Sequence, residues 1–348
     1  MLRQSLIDYG KPLATTEAPT PVPQGSEVLL AVSHCGVCHS DVHLQDGFFE
    51  LGGGRRLDVR GNRPLPFTFG HEIAGLVEAL GPQAEGLAKG QRFAAYPWIG
   101  CGNCPLCARG DEHMCASPRA LGVTVDGGYA THVLVPHPRY LLNVEGIAPE
   151  TAGPLMCSGL TGYGAVKKAL PYLRLGPLLI VGLGGVGMMG LQFARALTDR
   201  EIFVADVDGA KRDVALALGA KAAFDPSNED ARRAIAKASG GIGAAVDFVG
   251  SERSLNFAHA PLTKGGAAIV VGLFGGGLSI PVPMFPLRAL TITGSYVGSP
   301  AEAREMLDLV KAKRVASIPI TLRPLDQAAQ ALDDLRQGKI VGRVVITP

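Results

Sequence analysis

Seven cysteines stand at positions 35, 38, 101, 104, 107, 115 and 157, and four of them crowd into one short stretch. The spacing Cys101-x2-Cys104-x2-Cys107-x7-Cys115 lets four thiolates wrap one tetrahedral ion, and an all-sulfur set suits zinc. Such a site leaves no open position, so its role is structural. His113 lies inside this lobe and is not needed as a ligand, which makes it a surface or capping residue. A second ligand-rich run reads His34-Cys35-Gly36-Val37-Cys38-His39-Ser40-Asp41-Val42-His43. Further donors stand in Gly70-His71-Glu72 and at Cys157 in Leu155-Met156-Cys157-Ser158-Gly159. Cys35-x2-Cys38 has the spacing of a redox pair but lacks a thioredoxin-like βαβ setting. Residue types alone leave open whether these three clusters meet in space. An odd cysteine count with this clustering reads as metal ligands rather than disulfides, and so as a reducing compartment.

A different chemistry is written at 178–187. The apolar run Leu178 to Val181 leads straight into Gly182-Leu183-Gly184-Gly185-Val186-Gly187, after which helical periodicity begins. That is G-x-G-x-x-G between a strand and a helix. The glycines permit a tight turn and close approach of backbone to a pyrophosphate seated on the helix N-terminus. The motif gains weight from Asp206, which closes the next strand. A carboxylate there accepts hydrogen bonds from ribose hydroxyls and repels a 2′-phosphate.

These residues need elements to position them. Up to about residue 150 the chain is rich in Gly and Pro, with short apolar runs at Glu27 to Val32, Ile73 to Ala79, Arg92 to Tyr96 and Tyr129 to Val135. The pattern predicts a mostly β domain without helical periodicity. From Thr151 the texture changes. Strands are expected at Leu178 to Val181, Ile202 to Asp206, Ala222 to Phe224, Ala244 to Val249, Ala267 to Val271 and Leu290 to Thr293. Helices are expected at Val186 to Leu197, Ala210 to Leu218 and Ala231 to Ala238. Six strands with intervening helices imply an α/β, doubly wound parallel sheet. After Ser299 a helix, a strand, a helix and a last strand (Val341 to Ile346) break the alternation and should pack back on the N-terminal domain.

Bulk properties bound the function. The chain has 348 residues, 47% of them hydrophobic and 18% charged, which suits two folded domains and excludes disorder. A formal net charge of +2 gives no reason to expect nucleic acid or an anionic membrane surface. No apolar run has the length of a membrane span, and the N-terminus lacks the apolar core of a signal peptide, so a soluble, cytoplasmic protein is expected.

The order G-V-C-H-S-D, G-H-E, a four-cysteine lobe, L-x-C-x-G-x-T and G-x-G-x-x-G resembles the medium-chain zinc alcohol dehydrogenases across essentially the whole chain. The likeness is greatest to the tetrameric prokaryotic NAD-dependent enzymes acting on secondary, cyclic and aromatic alcohols. It implies a GroES-like, zinc-binding catalytic domain over 1–151 and 296–348, and a Rossmann domain over 152–295. It also implies NAD and two zinc ions per subunit, one structural and one catalytic, the latter held by Cys38, His71 and Cys157 with Glu72 as an acidic neighbour. By the same match Asp41 orients His71, and Ser40 and His43 form a proton relay. His39 and Arg343 contact the pyrophosphate, Asp206 and Lys211 the ribose, and Thr161 packs near the nicotinamide. Cys35 matches no ligand position and reads as a buried strand residue.

Trp98 and Phe48, with its neighbour Phe49, are expected to wall the substrate pocket. The stretch Gly47 to Pro66 is an extended loop relative to many members and borders the substrate entrance. The β-prone run Ala289 to Val297 is expected at a sheet edge where subunits join into a tetramer. Two rivals within the superfamily fit less well. Polyol dehydrogenases commonly lack a cysteine at the position of Cys157, and cinnamyl-alcohol-type NADP enzymes conflict with Asp206. A zinc-free, non-catalytic nucleotide-binding relative conflicts with the set Cys38, His71 and Cys157.

Overall fold

The computed structural model describes residues 1–61 and 63–348. A six-stranded parallel sheet carries the second half of the chain. Its spatial order is Ala222–Phe224, Ile202–Ala205, Leu178–Val181, Ile242–Asp247, Leu262–Val270, Thr291–Gly294. The strand order reverses beside Leu178–Val181, and in such sheets ligands bind in the crevice at this switch point. Leu178–Val181 and Ile202–Ala205 are buried throughout because helices cover both faces, so they read as continuous apolar runs. Helix Gly185–Leu197 packs one such face. Thr291–Gly294 occupies the sheet edge, as expected for the run Ala289 to Val297.

The first half builds a seven-stranded sheet in the order Leu141–Asn143, Arg92–Ala95, Glu72–Leu80, Val28–Gly36, Arg343–Thr347, Ile320–Pro324, with His132–Val135 also paired to Val28–Gly36. The C-terminal strand therefore returns to the N-terminal sheet, where Ile346 lies opposite Cys35 and both are fully buried. A small sheet of Ala14–Glu17, Leu2–Leu6 and Phe67–Thr68 flanks it. No described helix is long and apolar enough to cross a membrane.

Two expectations are corrected. The first half is not free of helix, because His39–Asp46 is helical. Its buried face carries Asp41 and Gln45 beside Val42 and Leu44, so polar residues interrupt the apolar periodicity that would reveal it. The stretch 47–66 is not simply a loop. Phe48–Gly52 and Arg55–Asp58 pair as a hairpin turned by Gly53 and Gly54, both at positive φ, the backbone a two-residue hairpin turn needs. Asn62, in the same stretch, lies outside the described residues.

Ile346 stands where the two halves of the chain share one sheet. Ile346→Ala should lower unfolding free energy by about 2–5 kcal/mol, the cost of a cavity in a packed core, read from the shift in denaturant midpoint.

Candidate active site and metal centres

Cys38 lies just past the end of the strand Val28–Gly36 and caps the helix His39–Asp46. His71 directly precedes the strand Glu72–Leu80. Cys157 sits in Leu155–Gly159, a widened π-helical turn between two α-helical segments, a distortion found most often at functional sites. The fold brings these remote positions together. Donor atoms of Cys38, His71, Glu72 and Cys157 lie within 4.8 Å of one another, and all four residues are buried. The two sulfurs are 4.0 Å apart, and His71 Nε2 lies 3.3 Å from Cys157 Sγ.

One carboxylate organises this cluster. Asp41 is fully buried and accepts from the backbone N–H of Cys38 at 3.1 Å and from the Tyr129 hydroxyl at 2.7 Å. His71 Nδ1 lies 3.1 Å from its other oxygen. With the Nδ1 proton held there, Nε2 presents its lone pair to the sulfurs, which is the usual way a metal-binding imidazole is oriented. Burial works against a charged His71, but Asp41 and the Cys38 thiolate outweigh it and raise its affinity for a proton. The hydrogen bond from Cys157, against burial and with help from His71, holds the Cys38 thiol well below its ordinary range. Two free thiols, an imidazole and the buried carboxylate of Glu72, which is paired with Arg343, form a donor set that fits one zinc ion.

The second cluster comes from one loop. Cys101, Cys104, Cys107 and Cys115 are free and offer sulfurs within 4.8 Å of one another. Backbone N–H groups of Cys107, Cys101 and Ser117 donate to the sulfurs of Cys104, Cys115 and Cys115. The set also fits zinc, in a closed tetrahedral site. Glu112, which the spacing did not single out, anchors this lobe. Its buried carboxylate accepts from Tyr140 at 2.6 Å and from the Gly100 N–H at 3.2 Å. His113 is not a surface residue. It is half-buried, its Nδ1 is enclosed without a partner among the described residues, and it lines a cavity of about 270 Å³ with Trp98, Met114, Pro118, Ala120 and Tyr296. Trp98 donates its indole N–H to the Met156 carbonyl at 3.0 Å and packs between His71 and Tyr296.

On the helix His39–Asp46, Ser40 and His43 stand one turn apart, both half-buried. Burial, then the neighbouring His39, lowers the His43 pKa to about 4, so its ring is neutral at physiological pH. Phe49 packs on His43 with ring centroids 4.7 Å apart, and Phe274 packs on His39 at 4.6 Å. Phe48 faces the other side of its strand, under the guanidinium of Arg56 at 3.9 Å. Phe49 is thus the residue of the pair that reaches the helix His39–Asp46, as strand alternation requires.

At the fingerprint, Gly182 adopts a φ of 89°, which side chains disfavour. A methyl group on Gly184 would meet nothing within 4 Å, so this flank is open to a ligand. One on Gly187 would overlap the Gly182 carbonyl, so only glycine lets helix and strand close up. The Asp206 carboxylate accepts from the N–H groups of Leu183 at 2.6 Å and Asp208 at 2.9 Å, which fixes it beside the turn. Lys211 pairs with Asp208 at 3.6 Å rather than with Asp206. Thr161 is buried at the start of Leu160–Ala169. Arg343 is buried and paired with Glu72.

Comparison with known proteins matches both halves. Residues 24–146 match the alcohol dehydrogenase GroES-like domain and residues 185–312 the zinc-binding dehydrogenase domain. An NAD-dependent alcohol dehydrogenase of Sulfurisphaera tokodaii is 38% identical over 100% of both chains. This chain belongs to the medium-chain zinc alcohol dehydrogenase family. A D-arabinose 1-dehydrogenase (NADP(+)) of Saccharolobus solfataricus is 31% identical over 99% of this chain and 96% of its own. The crystal structure of an alcohol dehydrogenase from Aeropyrum pernix superposes with a TM-score of 0.89 at 28% identity, covering 100% of each chain. The architecture of this chain is accordingly a GroES-like domain joined to a Rossmann domain.

Tyr129 carries no motif signal, and only the fold reveals its bond to Asp41. Tyr129→Phe should leave the chain folded yet weaken metal retention by roughly 10- to 100-fold, the usual cost of losing an outer hydrogen bond, measured as zinc loss to a competing chelator. The neutral His43 gives a second expectation. Its folded pKa lies below the ordinary 6.5, so its stabilising contribution is present above pH 6.5 and lost as pH falls towards 4. Between those values His43→Gln should lose less stability than the unaltered protein, as followed by unfolding midpoints.

Proposed function

We propose that this chain is a cytoplasmic, NAD-linked alcohol dehydrogenase carrying one catalytic and one structural zinc per subunit and acting on uncharged, hydrophobic alcohols and their carbonyls. The observation that carries this reading is the buried cluster of Cys38, His71 and Cys157, oriented through Asp41, in a chain that also holds a nucleotide fingerprint. Residues 1–151 and 296–348 form the catalytic domain in this reading, and residues 152–295 hold the cofactor.

When bound, the metal polarises an alcohol or carbonyl oxygen and the nicotinamide exchanges the hydride. The chain's own residues do the rest. Cys38, Cys157 and His71 supply three ligands and leave a fourth position for substrate. Asp41 keeps the His71 proton on Nδ1. Ser40 Oγ takes the hydroxyl proton, which leaves through an intervening hydroxyl to the neutral ring of His43. Gly182, Gly184 and Gly187 admit the pyrophosphate to the helix N-terminus, where His39 and Arg343 supply positive charge or donors. Asp206 receives the ribose hydroxyls, with Lys211 beside it.

Trp98 and Tyr296, with the apolar lobe residues Met114, Pro118 and Ala120, support an apolar substrate pocket that suits cyclic or aromatic alcohols. The exposed side chains Val282 and Leu287, 77% and 67% accessible, precede the edge strand Thr291–Gly294 and support assembly through that edge into dimers and a tetramer.

The deciding experiment is metal analysis with initial rates on ethanol, butanol, cyclohexanol and benzyl alcohol. About two zinc ions per chain are expected, and cyclohexanol or benzyl alcohol should have the highest kcat/KM, rising by up to about 0.8 kcal/mol per buried methylene. Trp98→Ala should reorder the alcohols with little change in NAD affinity. A zinc-free protein that still oxidised alcohols, or a preference for ethanol or a charged hydroxy acid, would overturn the reading. NAD should give a much higher kcat/KM than NADP, and Asp206→Ala should narrow the gap from both sides. Equal use of the two cofactors by the unaltered enzyme would remove the role given to Asp206.

A further inference from the structure

The turn that carries Tyr296 is held in a conformation that side chains avoid. Val297, the next residue, has a φ of 35°. A β-branched residue in the left-handed region is strained, and the strain persists only where the surroundings over-determine it. Here they do. The Ser295 N–H donates to the Val270 carbonyl at 2.9 Å, and Lys168 Nζ donates to the Ser295 hydroxyl at 3.1 Å. The Gly298 carbonyl accepts from the Tyr96 hydroxyl at 2.8 Å. Val297 is buried, and a methyl group on Gly164 would stand only 2.7 Å from its carbonyl oxygen. Residues 295–298 are thus fixed by the strand Leu262–Val270, the helix Leu160–Ala169 and Tyr96 of the first half. Such strain clusters where a fold aims a side chain for function, and the side chain aimed by this turn is Tyr296.

The Tyr296 ring packs edge-on against Trp98 with centroids 5.8 Å apart, and Trp98 packs on His71 at 5.3 Å. Tyr296 therefore stands one ring away from the metal-donor cluster, where it walls the cavity of about 270 Å³ beside the apolar Met114, Pro118, Ala120 and Val123. Glu112 and Cys115 also line this space. The Glu112 carboxylate is engaged by Tyr140 and Gly100, and Cys115 Sγ by the N–H groups of Cys101 and Ser117. Burial, with Cys157 adding to it, pushes the Tyr296 pKa up to about 12, and no described residue hydrogen-bonds its hydroxyl. The residue as a whole is 48% exposed, so a ligand in the cavity can reach it.

We propose that Tyr296 is a specificity-determining residue whose hydroxyl donates a hydrogen bond to a second oxygen of the substrate. The substrate class is then an alcohol with an apolar body and an ether, hydroxyl or carbonyl oxygen set away from the reacting carbon. A hydroxyl among apolar walls loses its water when a hydrocarbon fills the cavity, and only a substrate that carries an oxygen there pairs it again. The inference deepens the alcohol dehydrogenase reading given above and rests on it.

The test measures initial rates of the zinc-loaded full chain on matched pairs, the 2-, 3- and 4-methoxybenzyl alcohols against the corresponding ethylbenzyl alcohols. The members of a pair have nearly the same shape and differ by an ether oxygen in place of one methylene. The readout is the kcat/KM ratio of ether to alkyl substrate within each protein, which divides out any general change in turnover. Tyr296→Phe keeps the ring and its packing on Trp98, and at one or more ring positions it should lower this ratio by about three- to tenfold, the usual worth of one hydrogen bond. Tyr296→Leu should lower it at the same positions, which covers a failure of the first variant to fold. A ratio that these variants leave unchanged at every position overturns the proposal alone. If the unaltered chain oxidises neither member of any pair, the alcohol dehydrogenase reading fails and this inference with it.

Discussion

The buried carboxylate of Asp41 is the constraint on which the metal-donor cluster depends. A charge at 0% exposure persists only if donors surround it, and three do, from the Cys38 backbone, the Tyr129 hydroxyl and the His71 ring. Each belongs to a different stretch of chain. Satisfying Asp41 therefore fixes the start of the helix His39–Asp46, the ring orientation of His71 and the packing of the Tyr129 segment together. The same carboxylate completes a capping box with Cys38, so a residue of the metal-donor cluster also serves as the helix cap.

Close approach is the second constraint, and glycine meets it. The fingerprint helix packs tightly on its strand because Gly187 has no side chain to strike the Gly182 carbonyl. The Glu72–Arg343 pair fits because Gly36 and Gly185 leave room for it. A polar interior is thus built from backbone contacts that any larger residue would push apart. The C-terminal strand contributes to both halves at once, since it completes the first sheet through Ile346 and sends Arg343 to the helix of the second.

The two metal clusters differ in how far the chain must fold to make them. The lobe cysteines all lie between 101 and 115, so one loop can gather them, and Glu112 ties that loop to Tyr140. Cys38, His71 and Cys157 come from a helix start, a strand start and a π-turn that packs on the strand Glu72–Leu80, and meet only through tertiary packing. The first set accordingly depends on tertiary packing, while the four lobe cysteines are gathered within a single loop.

The sequence by itself determined what is local or periodic. The parallel strands appear as apolar runs between amphipathic helices, the nucleotide turn as glycines at fixed intervals after a strand, and the lobe as a cysteine spacing. The return of the tail to the first sheet was legible because the strand–helix alternation stopped after Ser299. Tertiary structure decided what depends on distance in space rather than along the chain. The helix at 39–46 leaves no periodic signal in the sequence because its buried face carries polar side chains, which remove the apolar period. Tyr129, Glu112 and Tyr296 carry no motif, since a single hydroxyl, carboxylate or ring acquires meaning only from the partner it meets. Phe48 and Phe49 are neighbours of one type, and only strand alternation decides which one faces His43. Arg343 could be placed near a phosphate by resemblance, but its hold on Glu72 joins two strands of one sheet, on either side of Val28–Gly36, a meeting that no spacing in the sequence encodes.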